Sequence, residues 1–181
     1  MQPLIRGLLN ATLAPSDLTA SDRTLVAKWA AKVAWLLNDA SNYRKVVPAG
    51  AFRHLFNHSD TLPARTLVTL TMAPGPTPIW WIQGALWLAS TLADFPAEST
   101  KSLAESSLKT GLRFGSINLI VSCWPVDDWQ FFVVRGLHDV LWPQERLVGS
   151  CVESTPIDAD FDPLMSVHAL IKIRQAGAEA P

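Results

Sequence analysis

The sequence has few of the residues that usually announce chemistry. It holds two cysteines, Cys123 and Cys151, which stand far apart and form no CxxC pair. A zinc knuckle is therefore unsupported, and the spacing reads as two mostly buried thiols in a reducing cytoplasm. No glycine-rich phosphate loop and no nucleophile with its base can be picked out. Charged residues make up 17% of the chain and the formal net charge is −1, so no global field draws it to nucleic acid or to a membrane surface. The most apolar run, Ile79 to Ala89, is about half of the roughly 20 residues needed to span a bilayer. Met1 is followed by Gln2, Pro3 and an early Arg6, with no long apolar stretch behind a basic start. The expectation is a cytoplasmic chain with no leader and no membrane partner.

What is present is apolar and aromatic. Hydrophobic residues make up 49% of 181, and there are eight Trp against one Tyr. Such a chain can bury a sizeable core and suits one domain over 1–181. Its charge is uneven. Residues 1–60 hold seven Lys or Arg against four Asp or Glu, and residues 116–181 hold four against nine. An acidic partner, whether protein or nucleic acid, therefore has its better side in the N-terminal third. Arg23, Lys28, Lys32, Arg44 and Lys45 are the candidate contacts there.

The clearest structural signal is Thr19 to Asn38. Leu25, Val26, Trp29, Val33, Leu36 and Leu37 recur at three and four, which predicts one apolar helix stripe. Thr19 with Asp22 has the form of a capping box, and Arg23, Lys28 and Lys32 fall off the stripe. Residues 1–18 are a helical or extended lead-in. Pro48 is expected to start a second helix that buries Phe52, Leu55 and Phe56.

Arg65 to Met72 alternates, with Val68, Leu70 and Met72 on one face and Thr69 and Thr71 on the other, as in a half-buried strand. Pro74-Gly75-Pro76 predicts a turn, and Ile79 to Leu88 a central strand covered on both faces. Residues 91–112 give no period and read as a long loop or protruding hairpin. Residues 116–135 read as a hairpin, with Ser116, Asn118 and Ser122 facing out. Asp162 and Pro163 predict a C-terminal helix with Leu164, Val167, Leu170 and Ile171 on its apolar face, and 177–181 a frayed tail. The expected class is α+β: two N-terminal helices and a C-terminal helix packed on an antiparallel sheet of four to five strands.

Each chemical candidate has a plainer alternative. His54 and His58 stand at i and i+4, a spacing that suits two metal ligands. Leu55 follows His54 where HExxH has its glutamate, and no third ligand is evident, so two solvent-edge histidines is the preferred reading and no metal or cofactor is expected. Asp158, Asp160 and Asp162 resemble a calcium loop but meet Pro163 where glycine is needed. Trp80, Trp81, Trp87, Trp124, Trp129 and Trp142 could stack flat ligands, yet residues 78–90 hold no Lys or Arg, which favours core packing. Trp129 and Trp142, with His138 nearby, are the candidate ligand contacts.

PLIRG (Pro3 to Gly7), the helix around Trp29-Ala30-Ala31-Lys32, the VPAGAFRHLFNH stretch and the strand after it together resemble the C-terminal region of a group of uncharacterised bacterial HNH-like proteins. Those carry an N-terminal zinc module with CxxC and a CNxGWM-type segment. The similarity covers mainly residues 3–70, and Leu141-Trp142-Pro143 echoes a later Trp-Pro step. This sequence begins at the PLIRG-like segment, so the module's zinc-binding Cys and His residues are not in it and none of its catalytic positions carries over. The resemblance implies a non-enzymatic accessory domain that docks a protein or nucleic acid. Two further readings stand beside it: a small-molecule binder or unrecognised enzyme with a Trp-lined pocket, and a structural subunit that forms a homo-oligomer through its apolar surface.

Overall fold

A computed structural model describes residues 2–42, 45–47, 50–58, 60–63, 65–84, 107–123, 129–132, 139–143 and 170–173. It is α+β. Helix α1 (Gln2–Leu9), a 3-10 turn (Pro15–Asp17), helix α2 (Ala20–Ala40) and helix α3 (Ala51–Asn57) precede strands β1 (Thr66–Gly84), β2 (Leu108–Cys123), β3 (Trp129–Phe132), β4 (Asp139–Trp142) and β5 (Leu170–Ile173).

Helix α2 organises the molecule, and its N-terminal end is built as its sequence predicts. The Asp22 amide donates to Thr19 Oγ1 at 3.2 Å and the Thr19 amide donates to Asp22 Oδ2 at 3.1 Å, which closes the capping box. At the other end the Lys45 ammonium donates to the carbonyls of Asn38 (3.0 Å), Ser41 (2.7 Å) and Asp39, a cation on the negative pole of the helix.

The buried face differs from the expected one. Val26, Ala27, Ala30, Ala31, Ala34, Trp35 and Asn38 are buried, whereas Leu25 and Leu36 stand exposed. The physical reason is distance. Alanines let strands approach the helix axis closely, and one large side chain, Trp35, fills the remaining gap. Its indole N–H donates to Cys123 Sγ at 3.2 Å, and its ring meets Phe52 edge-on at 6.0 Å.

Strand β1 is the centre of an antiparallel sheet in the order β2-β1-β4. Pro74-Gly75-Pro76, read above as a turn, lies within β1. Between Met72 and Thr77 the pairing slips: β1 advances five positions while β2 moves only from Ile117 to Gly115. Gly115 takes φ +55 at this step, a conformation that glycine adopts without strain. Prolines lack the amide that a ladder needs, so they fit a bulge and not a regular rung.

The slip bends the ribbon around α2. In a straight strand Thr110 and Cys123 would be separated by roughly 40 Å. Yet Gln83, which pairs with Thr110 and donates to its Oγ1 at 3.4 Å, also donates to the Ala34 carbonyl at 3.3 Å, while Cys123 accepts from the neighbouring Trp35. Both arms of the ribbon therefore close on the same turn of α2. Leu108, Leu112, Ile117, Leu119 and Val121 join the alanine face in one core cluster.

Several expectations are corrected here. Thr69, Asn118 and Ser122, placed on a solvent face by alternation, are buried, so the first half of the ribbon is covered on both sides. Ile79, expected in a doubly covered strand, is 73% exposed. Residues 116–135 are not a hairpin: β2 pairs with β1, and β3 pairs with β5 in a second, two-stranded sheet. Of residues 91–112, read as a long loop or protruding hairpin, Leu108 to Leu112 are strand paired antiparallel with β1, while 91–106 lie outside the described residues. The expected C-terminal helix is contradicted at Leu170–Ile173, which form β5; the alternation of Ile171 and Ile173 around Lys172 favours strand over helix there. Residues 162–169, the rest of that expected helix, lie outside the described residues.

Candidate functional site

The outer side of α2 and the short helix α3 enclose an open groove of about 160 Å³. From α2 it is lined by Leu25, Lys28, Trp29 and Lys32, and from α3 by Phe52, Leu55 and Phe56. Its origin is local. Gly50 takes φ +94 as the N-cap of α3 and sets the helix entry, with open space where a side chain would be. With seven residues, α3 has room for one buried stripe. Ala51 is buried, Phe52 and Leu55 pack on the core cluster, and Phe56 is left outside at 79% exposure. Phe56 had been expected inside. On α2 the alanine face takes the strands, so Leu25 (38% exposed) and Leu36 (48% exposed) remain as an outward apolar stripe with Trp29 between them. Trp29 is held by Phe114 of β2, with ring centroids 5.3 Å apart.

The rim is cationic. Lys28 Nζ donates to the His58 carbonyl, tying α2 to the C-terminal end of α3, and Lys32 is exposed one turn further along. His54 and His58 do come together, with ring centroids 4.4 Å apart and planes tilted by 31°. His54 Nε2 is 3.0 Å from Thr61 Oγ1. Burial holds the His54 imidazole below its ordinary value, reinforced by the charges of His58 and Lys28. A cation placed between these rings would have Lys28 beside it. Among the described residues no three His, Cys, Asp or Glu side chains converge as a metal-ligand group.

The five candidate cations of the N-terminal third divide. The Arg23 guanidinium donates to the carbonyls of Leu18 (3.3 Å), Val140 (3.2 Å) and Pro15 (3.1 Å), and so pins the start of α2 to β4. Lys45 is engaged with the end of α2, and Arg44 lies outside the described residues. Among the described candidates, Lys28 and Lys32 reach the groove. Trp142 is half-buried against the core from β4, Trp129 is in β3 of the other sheet, and His138 lies outside the described residues.

The groove offers apolar area and two ammonium groups, a chemistry that holds a hydrophobic side chain with a carboxylate beside it. The signal that marks it in the sequence is the spacing of Ala27, Ala30, Ala31 and Ala34. Small residues at three and four define the face of closest approach, which turns Leu25 and Leu36 outward. Comparison of the chain with protein-family models, with curated proteins and with solved structures returns no match. The groove is therefore read from its own chemistry.

Proposed function

We propose that this chain is a docking module that binds a protein partner through the α2–α3 groove and does not act on it chemically. The observation that carries the reading is the solvent-open apolar lining, with Phe56 and Leu25 exposed beside Lys28 and Lys32. Isolated exposed apolar residues are ordinary, but a contiguous set rimmed by charge marks an interaction surface. A nucleic-acid partner draws on several cations spaced along a phosphate track. Here Arg23 and Lys45 each donate to three backbone carbonyls, whereas Lys28 donates to one and Lys32 is exposed, which leaves too few cations for a phosphate track and favours a protein partner. The accessory role implied by the resemblance to HNH-like proteins is compatible with such a module.

The test is site-specific photo-crosslinking in the source cells. A benzoylphenylalanine at position 56 is expected to give a discrete protein adduct, and the same group at exposed Gln2 none. Leu25→Asp should abolish the adduct. A nucleic-acid adduct at position 56, or no adduct at all, overturns the reading.

A further inference from the structure

Resting on that reading, we infer that the occupant of the groove is an acidic amphipathic helix from a different protein, with its carboxylates set against Lys28 and Lys32. Exposed Leu25 and Leu36, with half-buried Trp29 between them, span about 16 Å along α2 at 1.5 Å per residue. That length suits several turns of a partner helix, while the pocket at Phe52, Leu55 and Phe56 receives one apolar side chain from it. A groove between two helices is the surface into which the ridge of a third packs, with anchors at i, i+3 or i+4 and i+7.

The charges give the partner its chemistry. Lys28 and Lys32 are one turn apart, so their spacing matches carboxylates four residues apart on a helix lying alongside. Among the described residues, no acidic side chain lines the groove. On α2 itself, Asp22 is engaged in the N-terminal capping box and Asp39 stands at the far end. A second copy of the chain does not supply the match from its described helices. α1 and α3 contain no acidic residue, and α2 is acidic only near its two ends.

The test uses the full chain and dye-labelled helical peptides read by fluorescence anisotropy. One peptide carries leucines at helical spacing with glutamates on its flanks, a second has lysines in place of those glutamates, and a third is the acidic peptide interrupted by proline. The acidic helix is expected to bind roughly five- to thirtyfold more tightly than the basic one at low salt, from two exposed ion pairs. Added salt should narrow the gap. Lys32→Glu alone should shrink the preference, and Lys28→Glu with Lys32→Glu should reverse it. Equal binding of the two charge forms overturns the inference, as does a preference that survives charge reversal. Undiminished binding of the proline-interrupted peptide overturns it in favour of an extended segment. A concentration-dependent dimer abolished by Phe56→Asp overturns it in favour of a second copy. If no peptide binds while position 56 still crosslinks to protein, the inference fails and the docking reading stands. If both are negative, the docking reading fails as well.

Discussion

The thiol of Cys123 is buried and accepts the Trp35 indole N–H, and burial pushes its pKa up to about 11 from an ordinary 9.0. In the native protein it should be inert to iodoacetamide at neutral pH and react only after unfolding, as mass spectrometry of labelled protein will show. The same shift carries a pH dependence. Below pH 9 the thiol is protonated in both states. Above it the unfolded chain ionises first, so stability falls by up to about 3 kcal/mol between pH 9 and 11. Urea unfolding of Cys123→Ala should show that part of the fall removed. His54 shifts the opposite way for a base. Its imidazole is held low by burial and by the neighbouring His58 and Lys28. The unfolded state therefore binds its proton more readily, and acidification through the histidine range weakens the end of α3. An NMR titration should place the His54 midpoint below the ordinary 6.5 and find it moved upward in His58→Gln. Neither environment is legible in the sequence. A cysteine in an alternating strand and two histidines at i and i+4 carry no mark of what packs over them.

At the scale of elements, two features decide how the chain packs. The first is the alanine face of α2. Ala31→Leu should destabilise the protein by about 1–3 kcal/mol, because the strands cannot retreat from an added side chain. Leu36→Ala, on the exposed stripe, should change unfolding by less than about 0.5 kcal/mol. A reversed order in chemical denaturation would mean that the helix faces are assigned the wrong way round. The second feature is the bend of the β1–β2 ribbon. A Cβ at Gly115 would lie 3.3 Å from the Leu9 carbonyl oxygen, on a residue already at φ +55. Gly115→Ala should therefore cost about 1–2 kcal/mol in the same assay. The helix signals of α2 were readable because caps and periodicity are local. The orientation of its faces was not, because hydrophobicity alone ranks Leu25 and Leu36 above Ala27 and Ala34, and only the approach of the strands reverses that order. Pro74-Gly75-Pro76 misled for a related reason: it does bend the chain, but within a paired ribbon and not at its end.

At the scale of the molecule, the described N-terminal part is a core helix wrapped by a bent ribbon, with a short helix laid against its outer side. Native-state hydrogen exchange should be slowest at the α2 residues between Ala27 and Trp35 and across the β1–β2 rungs near Leu70 and Leu119, all buried. α3 should exchange faster, since it has few turns and carries an exposed phenylalanine. An acidic helical peptide should slow exchange in α3 before it affects the core. A uniform response across the chain would count against α3 as part of the docking surface.

The sequence by itself determined the class of the fold, the limits and caps of α2, a strand starting near Thr66 and the basic character of the N-terminal third. These rest on propensity, periodicity and charge, which act between near neighbours in the chain. The tertiary structure decided which side of α2 is core, where the ribbon bends, which cations are engaged with carbonyls and that Phe56 stands beside Leu25. Each of these depends on groups distant in sequence competing for the same space, and such competition leaves no periodic trace in either partner alone.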